Sequence, residues 1–165
     1  MNVESKEAEE DSKSNEFDQW KTQYEKRDLN DQAQCIIAGD KDNGALYLSS
    51  LSVAHNEQDL KQLGIEYVLT ITHDKSLSDD VPSIHKNRKL HLSINDKVDV
   101  ETAAAVNKEF PVACEWVQHK LIKIKKNVLV HCSSGISRSS SFIIFYLMSV
   151  HKMNLKQSFR DVFRG

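Results

Sequence analysis

Cys132 and Arg138, six positions apart in the run HCSSGISRS, define the chemistry open to this chain. A thiol at a helix N-terminus beside a cation ionises far more readily than a free thiol, so Cys132 is expected to act as a thiolate. Arg138 offers a planar fork of donors that matches two oxygens of a phosphate. Ser133, Ser134 and Gly135 are small enough for the backbone to curl around an anion, and Ile136 and Ser137 complete the loop. A nucleophile, an anion cradle and a bidentate clamp together specify attack of sulfur on phosphorus. The spacing C-x5-R alone is a weak signal, since a buried structural cysteine and a surface arginine would also produce it. His131, Gly135 and Ser139, set between an apolar strand and an apolar helix, make it specific.

Those flanking elements are what must position the loop. Val128, Leu129 and Val130 read as a buried strand. Ser139 to Met148 opens with small serines and is then apolar all round, as a buried helix is. The loop's N–H groups then lie at a helix N-terminus, where the dipole favours an anion. Upstream, the runs 35–38 and 45–48 flank the turn Asp42-Asn43-Gly44 and suggest a hairpin. Residues 52–63 read as one helix ending at Gly64, 65–71 as a strand, 73–83 as a polar loop, and 89–94 as a strand with one buried face. Residues 100–126 carry one apolar stripe through Val106, Phe110, Ala113, Val117, Leu121 and Ile124, with a kink or break expected near Phe110 because of Pro111. Asn154 to Phe163 begins a last helix. Strands alternating with helices give an α/β class: a central mixed, mainly parallel sheet flanked by helices.

The 165 residues suit a single domain with one substantial core. Residues 1–16 are read as a disordered acidic tail and 17–165 as the folded domain, opening with an amphipathic helix over 17–29 that packs on it. Net charge is −5 over residues 1–18 and +3 over the remainder. That mild positive balance fits an anionic substrate and is too small to argue for nucleic acid. No apolar run approaches the roughly 20 residues that span a bilayer, so no membrane association is expected. There is no apolar h-region, and Asn2 stands where N-myristoylation needs glycine. Cys35, Cys114 and Cys132 form neither a zinc pattern nor an even disulfide set; a free thiolate points to a reducing compartment, cytoplasm or nucleus. Cys35 and Cys114 are read as core thiols. Histidines 55, 73, 85, 91, 119 and 151 form no ligand constellation.

The loop HCSSGISRS resembles the signature of cysteine-dependent phosphatases, H-C-x5-R-[S/T], and the flanks VLVHC and FIIFYLM are similar to the dual-specificity branch. Ala45–Ile71 resembles that branch's opening strand, helix and strand, LSIND (92–96) its general-acid loop, and FPVACEWV (110–117) the helix before the nucleophile strand. The resemblance spans roughly residues 35–163 and implies a cysteine phosphatase fold of dual-specificity type. It implies that Cys132 forms a thiophosphate intermediate, that Arg138 and the loop amides hold the phosphoryl oxygens, and that Asp96 is general acid and then base. Ser139 would stabilise the leaving thiolate, and His131 would fix the loop; no metal or cofactor is implied. Asp99 also lies within reach, and Asp96 is preferred. The interval from Asp96 to Cys132, 36 residues, is longer than the family's, with the extra residues in VDVETAAAVNKE. The resemblance implies a further helix after Phe163 that the sequence does not reach, so an apparent truncation is expected there, either a cut or a naturally short chain.

The implied substrates are phosphotyrosine and phosphoserine or phosphothreonine proteins, a phosphorylated kinase among the candidates; the oligomeric state is left open. The alternatives are a phosphopeptide-binding scaffold with weak turnover, or an enzyme for RNA 5′ phosphates or glucan phosphates. The loop's lack of lysine argues against inositol phosphates. The basic residues His85, Lys86, Arg88 and Lys89 are read as a solvated loop, with steering of acidic phosphopeptides as the functional alternative.

Overall fold

A computed structural model describes residues 32–163 except Ile136, together with Gln19 and Thr22. The expected tail and all but two residues of the expected helix over 17–29 lie outside the described residues. The strands are β1 (Gln34–Ile37), β2 (Leu46–Ser49), β3 (Ile65–Ile71), β4 (Lys89–Leu92) and β5 (Asn127–His131). They form one sheet in the order β1-β2-β5-β3-β4. The β1–β2 pair is the expected antiparallel hairpin, and the other pairings are parallel. β5 is central and almost wholly buried, which is why its sequence is a continuous apolar run rather than an alternation.

Helices cover both faces. Val128 and Val130 of β5 join Leu46, Leu48, Leu69 and Ile71 in the larger core. There they meet α4 (Val100–Gln118), α5 (Arg138–Val150) and α6 (Leu155–Phe163). Phe110 of α4 stands edge-on to Phe142 and Phe145 of α5, with ring centroids 5.3 and 5.6 Å apart. Leu129 points the other way, into a smaller core with Val68, Ala54 and Leu60 under α1 (Leu51–Ala54) and α2 (Glu57–Gln62). The period of two along β5 thus divides one strand between two cores.

Four local readings are corrected. The helix expected over 52–63 is two helices, because the Asn56 side chain accepts from the N–H groups of Gln58 and Asp59 and caps a fresh start. The loop 73–83 contains a short helix, α3 (Ser76–Asp79). Helix α4 runs unbroken through Pro111. Pro111 and Asn107, whose carbonyl loses its partner, are both exposed, so water can replace the missing bond. The irregularity comes later, as a π-turn over His119–Lys123 closed by Ile124 N–H on the His119 carbonyl. Cys35 is exposed on the edge strand β1, whereas Cys114 is buried as expected and its thiol is pushed up to about 12 by burial. Among the described residues no helix is long and apolar enough to cross a membrane.

Candidate active site

β5 ends at His131 and α5 begins at Arg138, so the loop between them sits at the carboxyl edge of the parallel strands and the N-terminus of a 13-residue helix. Two donors converge on the Cys132 sulfur. The Gly135 N–H points at it from 3.2 Å and the Ser139 hydroxyl lies 3.0 Å away. Both stabilise negative charge on sulfur. Gly135 adopts φ +74°, which turns its amide inward, and the Ser140 hydroxyl fixes that turn by donating to the Gly135 carbonyl at 2.7 Å. Leu51 N–H donates to the Ser133 carbonyl, tying the loop to the start of α1.

Arg138 is held on one side only. Nη1 donates to the Ile94 carbonyl and Nη2 to the Ser133 hydroxyl, each at 3.2 Å. Its Nε is buried and has no hydrogen-bond partner among the described residues. A buried guanidinium N–H without a partner is costly, and a bidentate oxyanion on that edge would satisfy it.

His131 is fully buried and neutral. Burial, then the neighbouring charges of His55 and His91, push its imidazole down to about 4. Nδ1–H donates to the Cys132 carbonyl at 3.1 Å, which leaves Nε2 to accept from the Thr70 hydroxyl at 2.7 Å. Thr70 lies directly across from His131 in the β3–β5 register. The ring thus ties the loop's first peptide to the sheet.

The two candidate carboxylates are separated by their partners. Ser137 donates to Asp96 Oδ1 at 2.7 Å, which holds Asp96 against the phosphate loop. Asp99 instead caps α4, accepting from the Thr102 N–H at 2.7 Å, and these contacts keep its carboxyl below its usual range. The structure therefore brings Cys132, Ser133, Gly135, Ser137, Arg138, Ser139, His131 and Asp96 together, and gives Asp99 another task. Ser134 lies on the exposed side of the loop, and Ile136 lies outside the described residues. The basic residues 85–89 are at the start of β4, the end of the sheet away from this loop. Arg88 pairs with Glu66, and Lys89 donates to the carbonyls of Asp79 and Val81, so steering has no support there.

Sequence reasoning missed Thr70, the Ile94 carbonyl and the Ser137–Asp96 bond. The one available signal was a hydroxyl at position 70 inside the apolar run Val68–Ile71.

The family model described as "Dual specificity phosphatase, catalytic domain" matches residues 46–163. Dual specificity protein phosphatase 26 of Homo sapiens is 28% identical over 120 residues, which is 71% of this chain and 54% of that protein. A probable dual specificity protein phosphatase of Dictyostelium discoideum is 33% identical over 105 residues, 64% of this chain and 44% of that one. The chain thus spans about half the length of the curated relatives it matches. Among solved structures, Cydia pomonella PTP-2 phosphatase superposes with a TM-score of 0.65 at 20% identity, covering 79% of this chain and 78% of that one. The human tyrosine phosphatase-like serine/threonine/tyrosine-interacting protein gives 0.60 at 26% identity, with 79% and 81% covered. With the family model covering most of the described fold and the loop, this chain belongs to the dual-specificity phosphatase family.

Proposed function

We propose that this protein removes phosphate from phosphotyrosine and from phosphoserine or phosphothreonine in proteins through a cysteinyl-phosphate intermediate. The observation that carries the reading is the convergence on one loop of a doubly hydrogen-bonded cysteine sulfur and a buried arginine N–H that has no partner among the described residues.

The substrate's phosphoryl oxygens are held by Arg138 Nε–H and the loop amides. Cys132 sulfur attacks phosphorus; the S–P bond forms as the P–O ester bond breaks, and Asp96, as the acid, gives its proton to the leaving oxygen. Water then attacks phosphorus, Asp96 takes its proton, and the S–P bond breaks. Ser139 donates to the departing thiolate, which makes sulfur a better leaving group. Charge redistributes over the phosphoryl oxygens in both steps, where fixed donors cost no reorganisation.

A binding role without turnover is the second reading, because one structural relative is named as a phosphatase-like interacting protein. The presence of Cys132, Asp96, Arg138 and Ser139 in one assembly favours turnover. Phosphate release from a generic aryl phosphate under reducing conditions separates the two. Wild type should turn over and Cys132→Ser should not; a wild type as inert as the variant leaves only binding. A panel of phosphopeptides, RNA 5′ phosphates and glucan phosphates then tests the substrate class.

A further inference from the structure

Beside the phosphate loop lies a hollow of about 230 Å³ that extends beyond the residues the dephosphorylation chemistry uses. Ile94, Val98, Val106 and Phe110 give it an apolar wall, and Asn95, Lys97, Thr102 and Ser141 stand around them. It is continuous with the phosphate site, because Asp96, Ser137 and Arg138 line both. We infer that this hollow is a subsite for an apolar side chain of a peptide substrate, placed close to the phosphorylated residue; the inference rests on the protein phosphatase reading.

Three observations carry it. The hollow is smaller than the roughly 300–1,000 Å³ of sites for drug-sized molecules, and so suits a single side chain. Its rim carries Val98, with Val100 close by in sequence, and these are the two most exposed large apolar side chains among the described residues. Exposed apolar surface at the mouth of a binding site is surface that a ligand covers. The occupant must also be near the phosphate: with Arg138 shared and consecutive Cα atoms about 3.8 Å apart, it belongs one or two residues from the phosphorylated one. The rim segment lies in the stretch VDVETAAAVNKE that lengthens this chain between Asp96 and Cys132, and Asp99 anchors it to α4.

The test compares kcat/KM on matched phosphotyrosine peptides carrying Leu or Ser at each position from two before to two after the phosphorylated residue. A generic aryl phosphate, which carries no neighbouring residue, is run beside them. At one position wild type should prefer Leu by roughly tenfold or more, a size common for apolar pockets. Val98→Asp, at an exposed position where folding is not at stake, should abolish that preference. Turnover of the aryl phosphate with no preference at any position overturns the subsite and leaves the phosphatase reading standing. A preference that survives Val98→Asp overturns it too. A wild type inert on the aryl phosphate overturns the phosphatase reading and the subsite with it.

Discussion

Asp96 and Asp99 are three residues apart and have different partners, and this difference is testable at the residue scale. Asp96→Ala should slow substrates with poor leaving groups by about 10²–10⁴-fold and spare good ones, since the lost function is proton donation. Asp99→Ala should lower the melting temperature through the lost helix cap and keep the wild-type leaving-group dependence. Ser139→Ala should slow the second step, read as an initial burst of product followed by slower turnover. His131 makes a pH prediction. Its folded imidazole is pushed down to about 4, against an ordinary value of 6.5. Between those values the unfolded chain binds a proton that the native protein refuses. The contribution is therefore fully present above about pH 6.5 and is lost as pH falls towards 4, at no more than about 1.4 kcal/mol per pH unit. Denaturant titrations at several pH values should show a shallower acid decline for His131→Gln than for wild type. An equal decline would mean that His131 is not the group titrating.

At the scale of elements, the strand–loop–helix unit was legible because its three parts have unlike compositions: an apolar run, a small polar run, then an apolar run again. The hairpin and β3 were legible for similar reasons. What escaped was set by partners distant in sequence or by single side chains. Asn56 restarts a helix with one carbonyl oxygen, and no periodicity announces that. Pro111 suggested a break, but only the exposure of Asn107 decides whether solvent can take the lost bond. Asn127, the first residue of β5, ties that strand to the residues just before β2 and β3. Its Oδ1 accepts from the Ala45 N–H at 2.8 Å and its Nδ2 donates to the Leu63 carbonyl at 2.9 Å. Asn127→Ala should therefore destabilise by about 1–3 kcal/mol, as expected when half-buried backbone groups lose partners, with the loss seen in the urea midpoint. The resemblance already preferred Asp96 over Asp99; what escaped was the Ser137 hydroxyl that holds Asp96 at the loop, which only the fold brings near.

At the scale of the whole molecule, the described residues form three layers, with the candidate active site at the carboxyl edge of the sheet and α6 closing the larger core. Val162 and Phe163 of α6 are buried, and Phe159 packs on Phe163 with ring centroids 4.5 Å apart. Removing residues 155–165 should cost several kcal/mol, at about 1.5–3 kcal/mol for each large apolar side chain uncovered, and shift equilibrium unfolding to lower denaturant. An unchanged midpoint would show that α6 is not part of the cooperative unit. The fold, however, is shared with proteins of other tasks, so function rests on the site. The most direct measurement quenches wild type in acid during turnover of an aryl phosphate and weighs the peptide that carries Cys132. A phosphoryl group on that cysteine, more abundant in Ser139→Ala and absent in Cys132→Ser, is the result predicted. Turnover that Cys132→Ser leaves intact, with no phosphoryl group on Cys132 in wild type, would contradict the account.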